Sequence, residues 1–431
     1  MTSQFIQHYD DPHRFEPLLP AEGVAGPLLE RASDLTRAAT ALGTSTTSAA
    51  QLALRALLRS MNSYYTNRLE GEHSRPSDIE RALHNDYSTN QDLARKQRLA
   101  VAHIKTQEVC ETEIDDRLAG GEDAVRSLFQ REALTRIHQQ LFAGLPEKDL
   151  TLSDGSIMVP GELRTHQVSV GIHEAPLFSA LPAFLDRWGS FYSGVRRGEL
   201  AILAIAASHH RLAWVHPFPD GNGRAARLHT HLLFHAVGLT NGLWSPLRGF
   251  ARSEDRYKAL LRAADEHRRG DLDGRGNLTQ AGLMEWMSYT LDICIDQVEF
   301  MTQMMDIRGM KDRIFASLTF DEATKKNGVR AEAVNALHYL FSSQAELGRA
   351  EFKAMSGLGE RVATQTVSSL LREGYLASDS AYGKVRFAVP RHALRFYFPQ
   401  LWPEAEQDEA LIAKEQQAAP TAGVSARDGV R

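Results

Sequence analysis

Hydrophobic residues recur every three and four positions over most of the chain, and this spacing predicts amphipathic helices. The leucines between residues 26 and 65 follow it, and Pro76-Ser77-Asp78 has the composition of a helix start. Further helical patterns cover residues 93–118, 123–143, 181–215, 228–237, 251–268 and 279–310. The pattern therefore predicts a mainly α-helical protein.

Three segments depart from this spacing. Residues 150–172 are rich in Gly, Val, Ser and Thr, and the alternation at 167–170 predicts a short β-hairpin. Residues 1–25 are rich in proline and lack periodicity, so we expect an irregular leader. Residues 311–330, which contain Lys325-Lys326-Asn327-Gly328, are expected to be a linker.

The C-terminal part of the chain shows a succession of short helical and strand-like patterns. Helical patterns at 331–343, 349–355 and 360–373 precede strand-like segments around 375–379 and 384–389. This order is typical of a winged helix-turn-helix domain. The stretch from residue 404 to residue 431 is rich in Glu, Gln and Ala, which predicts a disordered tail.

Composition narrows the functional classes. The 431 residues include 49 Lys and Arg against 54 Asp and Glu, a net charge of −5, which argues against a protein that coats nucleic acid by charge alone. Two distant cysteines, Cys110 and Cys294, exclude a disulfide scaffold and suit a reducing cytoplasm. The start of the chain does not read as a signal peptide, and no apolar run reaches the roughly 18 residues of a membrane span.

One stretch of twelve residues, 216–227, concentrates groups suited to phosphate chemistry. Its sequence is HPFPDGNGRAAR. Gly221 and Gly223 allow a tight turn just before an apolar helix, so backbone N–H groups gather at a helix N-terminus, where anions bind. Arg224 and Arg227 lie three residues apart and share one helix face. Asp220 offers oxygen ligands to a hard cation.

Two further groups complete this stretch. His216 precedes the turn and is suited to take a proton from a hydroxyl near neutral pH. Phe218 is apolar and is expected to anchor the loop to the core. The chain lacks the GxxxxGK[ST] pattern of a P-loop, so this is a different kind of phosphate site.

The stretch resembles the Fic family signature, HxFx(D/E)GNGRxxR, at every fixed position, and the wider resemblance covers roughly residues 60–400. It implies a Fic-type helical bundle with a small β-hairpin flap, followed by the winged helix-turn-helix domain. It also implies a protein adenylyltransferase that moves AMP from ATP to a Ser, Thr or Tyr hydroxyl, with Mg²⁺ or Mn²⁺. The implied roles are His216 as general base, Phe218 as anchor, Asp220 as metal ligand, and Gly221, Asn222, Gly223, Arg224 and Arg227 as ATP-binding residues.

Two other segments extend the resemblance. Residues 160–164 and 168–171 look like the family's flap hairpin, which holds the target peptide by strand addition. Residues 66–71, TNRLEG, match the inhibitory pattern [ST]xxxE[GN], which implies that Glu70 pairs with Arg227 and misplaces the γ-phosphate of ATP. Tyr257 stands where such proteins place an aromatic residue near adenine, and a core role for it stays open.

These assignments divide the chain into five parts. They are an irregular leader at 1–25, an N-terminal helical region with the inhibitory helix at 26–120, a Fic catalytic core at 121–310, a winged-helix domain at 331–403 and a disordered tail at 404–431. We expect a cytoplasmic enzyme with a protein target and no membrane contact. The target's identity, the nucleotide beyond the resemblance, and a homodimer stay open.

Two alternative functions are carried forward. In the first, Glu70 positions a water and the enzyme removes AMP from its target. In the second, the chain is a DNA-binding regulator whose Fic domain senses nucleotide. Residues 331–400 hold eight Lys and Arg against six Asp and Glu, a weak excess for DNA, so docking to protein or dimerisation is an equal reading of that domain.

Three further patterns receive plain structural interpretations. His231 and His235 lie four apart on a helix, a spacing that also suits a metal pair, but no HExxH surrounds them, and we expect helix-face histidines. Asp271-Leu272-Asp273-Gly274 lacks the spacing of a calcium loop and is expected to be a solvated turn. His209 is expected to be a packed, hydrogen-bonded helix residue rather than a catalyst.

Overall fold

The computed structural model describes residues 9–404, except for 47, 172, 196–197, 326–327 and 344–345. The predicted disordered tail beyond Glu404 and the first eight residues of the leader lie outside the described residues. No helix in the described part of the chain is long and apolar enough to cross a membrane.

Helices dominate the described residues, as the hydrophobic spacing predicts. They are α1 (Gly26–Ser45), α2 (Ser48–Leu69), α3 (Pro76–Leu83), α4 (Gln91–Ala119), α5 (Ala124–Leu128), α6 (Arg131–Phe142), α7 (Leu181–Tyr192), α8 (Gly198–Val215), α9 (Asn222–Ala236), α10 (Leu247–Arg252), α11 (Glu254–Asp265), α12 (Gln280–Met304), α13 (Ile307–Thr324), α14 (Val334–Ser342), α15 (Arg349–Ser356), α16 (Glu360–Arg372) and α17 (Leu394–Tyr397). Two pairs of short strands are β1 (Ser169–Val170) with β2 (His173–Glu174), and β3 (Leu376–Ala377) with β4 (Arg386–Phe387).

The two helices that flank the candidate loop lie at the centre of the bundle. Helix α8 packs against α1, α7, α9 and α12, while α9 packs against α4, α5 and α6. Residues 201–212 of α8 are all buried, which explains why its sequence is apolar on every side rather than striped. The loop between α8 and α9 is therefore held by two helices that the core fixes in place.

The leader is irregular as predicted but belongs to the core. Phe15 and Leu18 are buried, and the ring of Phe15 packs edge-on against Phe184 with centroids 5.3 Å apart. The buried guanidinium of Arg211 donates to the carbonyl of Pro17 at 2.8 Å. Residues 9–25 thus close the outer side of α8.

The hairpin differs from the prediction in its pairing. Residues 160–164 form a turn rather than a strand, and β1 pairs in antiparallel fashion with β2, with Ser169 opposite Glu174 and Val170 opposite His173. The predicted strand at 168–171 was correct in place, but its partner follows it instead of preceding it. The reason is that Arg164 is buried and its guanidinium donates to backbone carbonyls, which ties its segment to the core.

The predicted linker at 311–330 was wrong for most of its length. Helix α13 runs to Thr324 and packs against α14 and α17, with Ile314 and Leu318 fully buried. The prediction failed because apolar residues with helical spacing, such as Ile314 and Leu318, are interspersed with charged residues in this segment. The elements after α13 follow the predicted order, with α15 and α16 joined by a glycine turn and then the β3–β4 pair, while the winged-helix assignment itself stays a prediction.

Candidate active site

The loop between α8 and α9 is closed by its own side chains. The amide oxygen of Asn222 accepts from the backbone N–H of Phe218 at 2.9 Å, and the Asn222 side-chain nitrogen donates to the Phe218 carbonyl at 2.8 Å. His216, at the start of the loop, has a positive φ of 48°, a conformation that the surrounding contacts must stabilise. The loop is thus a preformed turn that ends at the N-terminus of α9.

The two glycines of the loop are required by space as well as by conformation. Gly221 has a φ of 76°, and a Cβ there would overlap the ring of Phe142. A Cβ on Gly223 would overlap the carboxylate of Glu70 and the guanidinium of Arg227. The backbone at Gly221 and Gly223 therefore carries no side chain of its own, and the carboxylate of Glu70 lies directly against Gly223.

Two residues outside the motif hold the loop in position. His138 on α6 stacks on Phe218 with ring centroids 3.9 Å apart, and its ring nitrogens bond the Asp220 carbonyl and the Gly161 N–H, each at 2.9 Å. Arg164 donates from Nε to the carbonyl of His216 at 2.9 Å. Sequence reasoning missed the role of both, because a single His and a single Arg that lie 82 and 52 residues before their loop partners carry no local signal.

Residues 66–71, which match the inhibitory pattern, contact the motif as the resemblance implies. Glu70 follows the end of α2, and its Oε1 forms a close ion pair with Nη2 of Arg227. Arg227 also donates from Nε to the hydroxyl of Thr66 at 2.8 Å and from Nη2 to the Thr66 carbonyl at 3.2 Å. Arg227 is only 3% exposed, so α2 supplies most of its partners.

The charge state of Glu70 follows from this contact. Burial raises the pKa of its carboxyl, but Arg227 and then Arg224 outweigh burial and lower the pKa below its ordinary value. Glu70 is therefore ionised at neutral pH. It places a negative charge at the position where two arginines and a helix N-terminus converge.

Arg224 is buried with unused donors. Its side chain is 8% exposed, and its Nε and Nη1 lack any hydrogen-bond partner among the described residues. The nearest carboxylate, on Asp220, lies 3.8 Å from Nη2, and the guanidinium carbon is 5.2 Å from the centre of the Phe142 ring. Burying such donors costs free energy unless a ligand pairs with them, so Arg224 is poised to receive an anion.

His216 is set up as a neutral imidazole. Burial lowers its pKa to about 4, with Arg164 and His173 adding to the effect, while a hydrogen bond to the backbone of Ala213 opposes it. At neutral pH the ring is uncharged, and the bond to Ala213 occupies one nitrogen. The other ring nitrogen can then accept a proton, which is what a general base requires.

Tyr257 lies beneath the site rather than on its surface. It is 5% exposed, its hydroxyl is 3.0 Å from Nε2 of His209, and it also hydrogen-bonds Arg227. His209 is buried and bonds Thr230 at 2.7 Å, in agreement with the expectation of a packed helix residue. Contact between Tyr257 and adenine stays a prediction, while the observed contacts support Arg227 from below.

The remaining sequence patterns have structural partners. Nε2 of His231 is 3.0 Å from Glu111 Oε1, and Nε2 of His235 is 2.8 Å from Asp115 Oδ1, so each histidine pairs with a carboxylate of α4. In the described part of the chain, no group of three or more His, Cys, Asp or Glu is placed to hold a metal. Asp273 accepts from the N–H of Ala281 at 2.8 Å and serves as a turn residue.

The site thus lies in a helical-bundle domain, in the loop that joins two central helices and ends at the N-terminus of α9. The Fic/DOC family model matches residues 128–234, which contain this loop. The proteins named "Protein adenylyltransferase Fic" from Drosophila virilis and Drosophila yakuba are each 31% identical over 107 residues, 25% of this chain and 21% of theirs. A Fic family protein from Desulfovibrio desulfuricans shares the fold at a TM-score of 0.50 and 15% identity, over 87% of this chain and 99% of that one.

Residues 128–234 are thus a Fic/DOC domain by their match to the family model. The match to the Drosophila relatives spans about a fifth of their length. The assignment therefore applies to the domain that holds the loop, and the activity of the whole chain is a matter for proposal.

Proposed function

We propose that this protein transfers AMP from ATP to a hydroxyl side chain of a protein, and that Glu70 restrains the reaction. The observation that carries the proposal is at the start of α9. The backbone there has glycines in place of side chains, and Arg224 beside it has buried donors that lack partners among the described residues. The curated relatives, which are named protein adenylyltransferases, support the same reaction class.

The proposed step balances with the residues at hand. The oxygen of the target hydroxyl attacks the α-phosphorus of ATP, the bond from that phosphorus to the bridging oxygen breaks, and pyrophosphate leaves. The hydroxyl proton passes to the uncharged ring nitrogen of His216. The N–H groups at the start of α9, with Arg224 and Arg227, receive the phosphate oxygens and the charge that develops on them.

A divalent cation fits beside this site. Asp220 is half-exposed, lies in the loop just before α9, and has a carboxylate oxygen 3.8 Å from Nη2 of Arg224. Its carboxylate would hold Mg²⁺ or Mn²⁺, which prefer oxygen ligands. When bound, such an ion neutralises phosphate charge that the arginines alone leave uncompensated.

Glu70 opposes the binding of ATP in this proposal. Its ionised carboxylate pairs with Arg227 and lies against the backbone at Gly223, where phosphate oxygens would otherwise bind. Like charges at such short range repel, so ATP binds productively only when Glu70 withdraws. Strands β1 and β2 would hold the target segment by strand addition, since each pairs only with the other among the described residues.

The test uses ATP labelled at the α-phosphate, with Mg²⁺ and then Mn²⁺. We expect Glu70→Gly to retain label on protein after denaturation, wild type to retain little, and Glu70→Gly with His216→Ala to retain none. The matched control is Glu72→Gly, which breaks a 2.7 Å ion pair with Arg95 and leaves Arg227 untouched. Label at the γ-phosphate should be lost in every variant. Retention of γ-label, or equal α-labelling of all variants, would contradict the proposal.

Removal of AMP is a second candidate, favoured by one observation. The Glu70 side chain is 27% exposed and its pKa is lowered, so an ionised carboxylate is within reach of water. Incubation of labelled Glu70→Gly protein with unlabelled wild type should then release labelled AMP. A stable label under these conditions argues against removal.

The DNA-binding alternative finds less support in the charges of the C-terminal elements. In a winged helix, α16 would be the helix that contacts DNA. Lys353 pairs with Glu360 at the start of α16, and Arg386 pairs with both Asp379 and Glu346. These contacts neutralise cations that would otherwise meet phosphates. A salt-dependent shift of duplex DNA that is lost when Arg361 and Arg372 are neutralised would restore the alternative.

A further inference from the structure

Helix α2 has neighbours on two sides at its C-terminal end. Thr66 and Glu70 contact Arg227 of the candidate active site. The residue before Thr66, Tyr65, is fully buried and points its hydroxyl at the last described residues of the chain. The same helical turn therefore contacts both the motif helix and the C-terminal segment.

The contact of Tyr65 with the C-terminal segment is polar and specific. Its hydroxyl is 3.2 Å from the carbonyl of Leu401 and 2.5 Å from a carboxylate oxygen of Glu404. The other oxygen of Glu404 accepts from Nε of Arg252 at 2.7 Å. Tyr65 and Arg252 thus hold Glu404 between α2 and α10.

A buried arginine of α10 also holds this segment. Arg248 on α10 is 1% exposed, lies 3.7 Å from the centre of the Phe300 ring, and donates from Nη2 to the carbonyl of Gln400 at 3.1 Å. Helix α10 in turn packs against α2. Residues 400–404 are therefore fastened to the helix that carries Glu70 and to its neighbour.

Apolar contacts extend this junction. Leu57 of α2, Ile79 of α3, Leu394 of α17 and Trp402 line one small cleft. Helix α14 and strand β4 of the C-terminal part also pack against α2. Withdrawal of α2 from Arg227 would break this junction as well as the Glu70 contact.

We propose that residues 400–404 latch the inhibitory end of α2, so that displacement of the C-terminal part frees Arg227 for ATP. This inference rests on the proposed function, because it names what controls the Glu70 contact. A hydrogen bond removed from the latch shifts the balance between the latched and the open position of α2. The loss of one such bond should raise the small open population about threefold to tenfold.

The variant that tests the latch is Tyr65→Phe, which keeps the ring and removes the hydroxyl. Its matched control is Tyr192→Phe, because Tyr192 is also fully buried and donates to a carbonyl, that of Leu18, at 2.7 Å, but lies on α7. Tyr65→Phe loses the hydroxyl contacts with Leu401 and Glu404, Tyr192→Phe loses the one with Leu18, and only the first variant changes α2. We expect Tyr65→Phe to increase α-label incorporation about threefold to tenfold over wild type, and Tyr192→Phe to leave it within twofold.

Two further readouts separate the latch from the reaction. In a Glu70→Gly background, Tyr65→Phe should add no further labelling, since the brake is already gone. Hydrogen exchange without nucleotide should quicken at residues 62–70 in Tyr65→Phe and stay unchanged there in Tyr192→Phe. If Glu70→Gly itself incorporates no label, the proposed transfer fails while hydrogen exchange still decides the latch. Equal exchange in both tyrosine variants, or added labelling in the Glu70→Gly background, would overturn the latch.

Discussion

The two ends of helix α9 both bury charged and titratable side chains, but they satisfy them differently. At the N-terminal end, Arg224 keeps two buried donors without a partner among the described residues. Near the C-terminal end, His231 pairs with Glu111 and His235 pairs with Asp115. One end, the open end, thus offers charged donors to a ligand, while at the other, the closed end, each histidine pairs with a carboxylate of α4, although Nδ1 of His231 also lacks a partner among the described residues.

The closed end also fastens three helices together. Glu111 of α4 accepts from Nε of Arg59 on α2 at 2.9 Å, and Asp115 accepts from Arg55 at 2.8 Å. A buried polar group without a partner costs about 1–3 kcal/mol, so a fold keeps one only where something compensates. The contrast teaches that the two ends differ in whether a carboxylate pairs closely with the titratable side chain, and spacing along the helix does not reveal that difference.

The largest expected effect is at the open end. Replacement of His216 by Ala in a Glu70→Gly background removes the proton acceptor and should lower the rate of AMP incorporation about 10²- to 10⁴-fold. Label incorporation over time measures this rate. The thermal midpoint should change little, because His216 is only partly buried. A rate within tenfold of the parent would show that another group takes the proton.

The closed end should respond in stability rather than in activity. Glu111→Gln removes the charge that pairs with His231 and Arg59, and we expect the free energy of unfolding at pH 7 to fall by about 3 kcal/mol. Urea denaturation measures this loss. Labelling per folded molecule in the Glu70→Gly background should stay within threefold, and a larger fall would place Glu111 in the reaction.

The pH dependence of this pair has a definite sign. Burial opposes ionisation of Glu111, but His231 and Arg59 outweigh it and lower its pKa to about 2 from an ordinary 4.5. Ionised Glu111 therefore stabilises the fold above about pH 4.5, and this contribution is lost as the pH falls toward 2. The difference in unfolding free energy between wild type and Glu111→Gln should shrink in that range, and a difference that grows would contradict the assignment.

An intermediate effect is expected for Arg224→Gln. The charged donors are lost, so the KM for ATP in the Glu70→Gly background should rise about ten- to hundredfold. Unfolding free energy should stay the same or increase, since buried donors without partners disappear. A stability loss as large as that of Glu111→Gln would remove the distinction between the two ends.

The smallest effect concerns the support beneath Arg227. Tyr257→Phe removes a hydroxyl that bonds His209 at 3.0 Å and also bonds Arg227. We expect the KM for ATP to rise about twofold to tenfold with kcat unchanged. The KM for adenine nucleotides and the KM for guanine nucleotides should rise by the same factor. A loss confined to adenine nucleotides would instead support the predicted contact between Tyr257 and adenine.

Local patterns were predictable from the sequence, and contacts between distant segments were not. The loop at 216–227 could be found because its groups are adjacent in the chain and their spacing alone places them on one turn and one helix face. The Glu70–Arg227 pair was reached only through resemblance, since 157 residues separate its members. No propensity or periodicity connects such positions.

The errors have the same origin. Arg164 looked like part of a strand, but its guanidinium binds three backbone carbonyls and forces a turn, so the hairpin moved to Ser169–Val170 and His173–Glu174. His138 gave no signal at all, because a histidine within an amphipathic helix reads as an ordinary core residue. The segment at 311–324 was taken as a linker because its charges masked the apolar stripe that packs on α14 and α17.

The central claim is that His216 and the α9 N-terminus transfer AMP once Glu70 is withdrawn. Intact-mass spectrometry of the Glu70→Gly chain after incubation with ATP and Mg²⁺, followed by peptide mapping, tests it most directly. We predict an added AMP group on a Ser, Thr or Tyr side chain, present at only a low level in wild type and absent from Glu70→Gly with His216→Ala. An added phosphate, an added group of another mass, or an adduct that survives His216→Ala would contradict it.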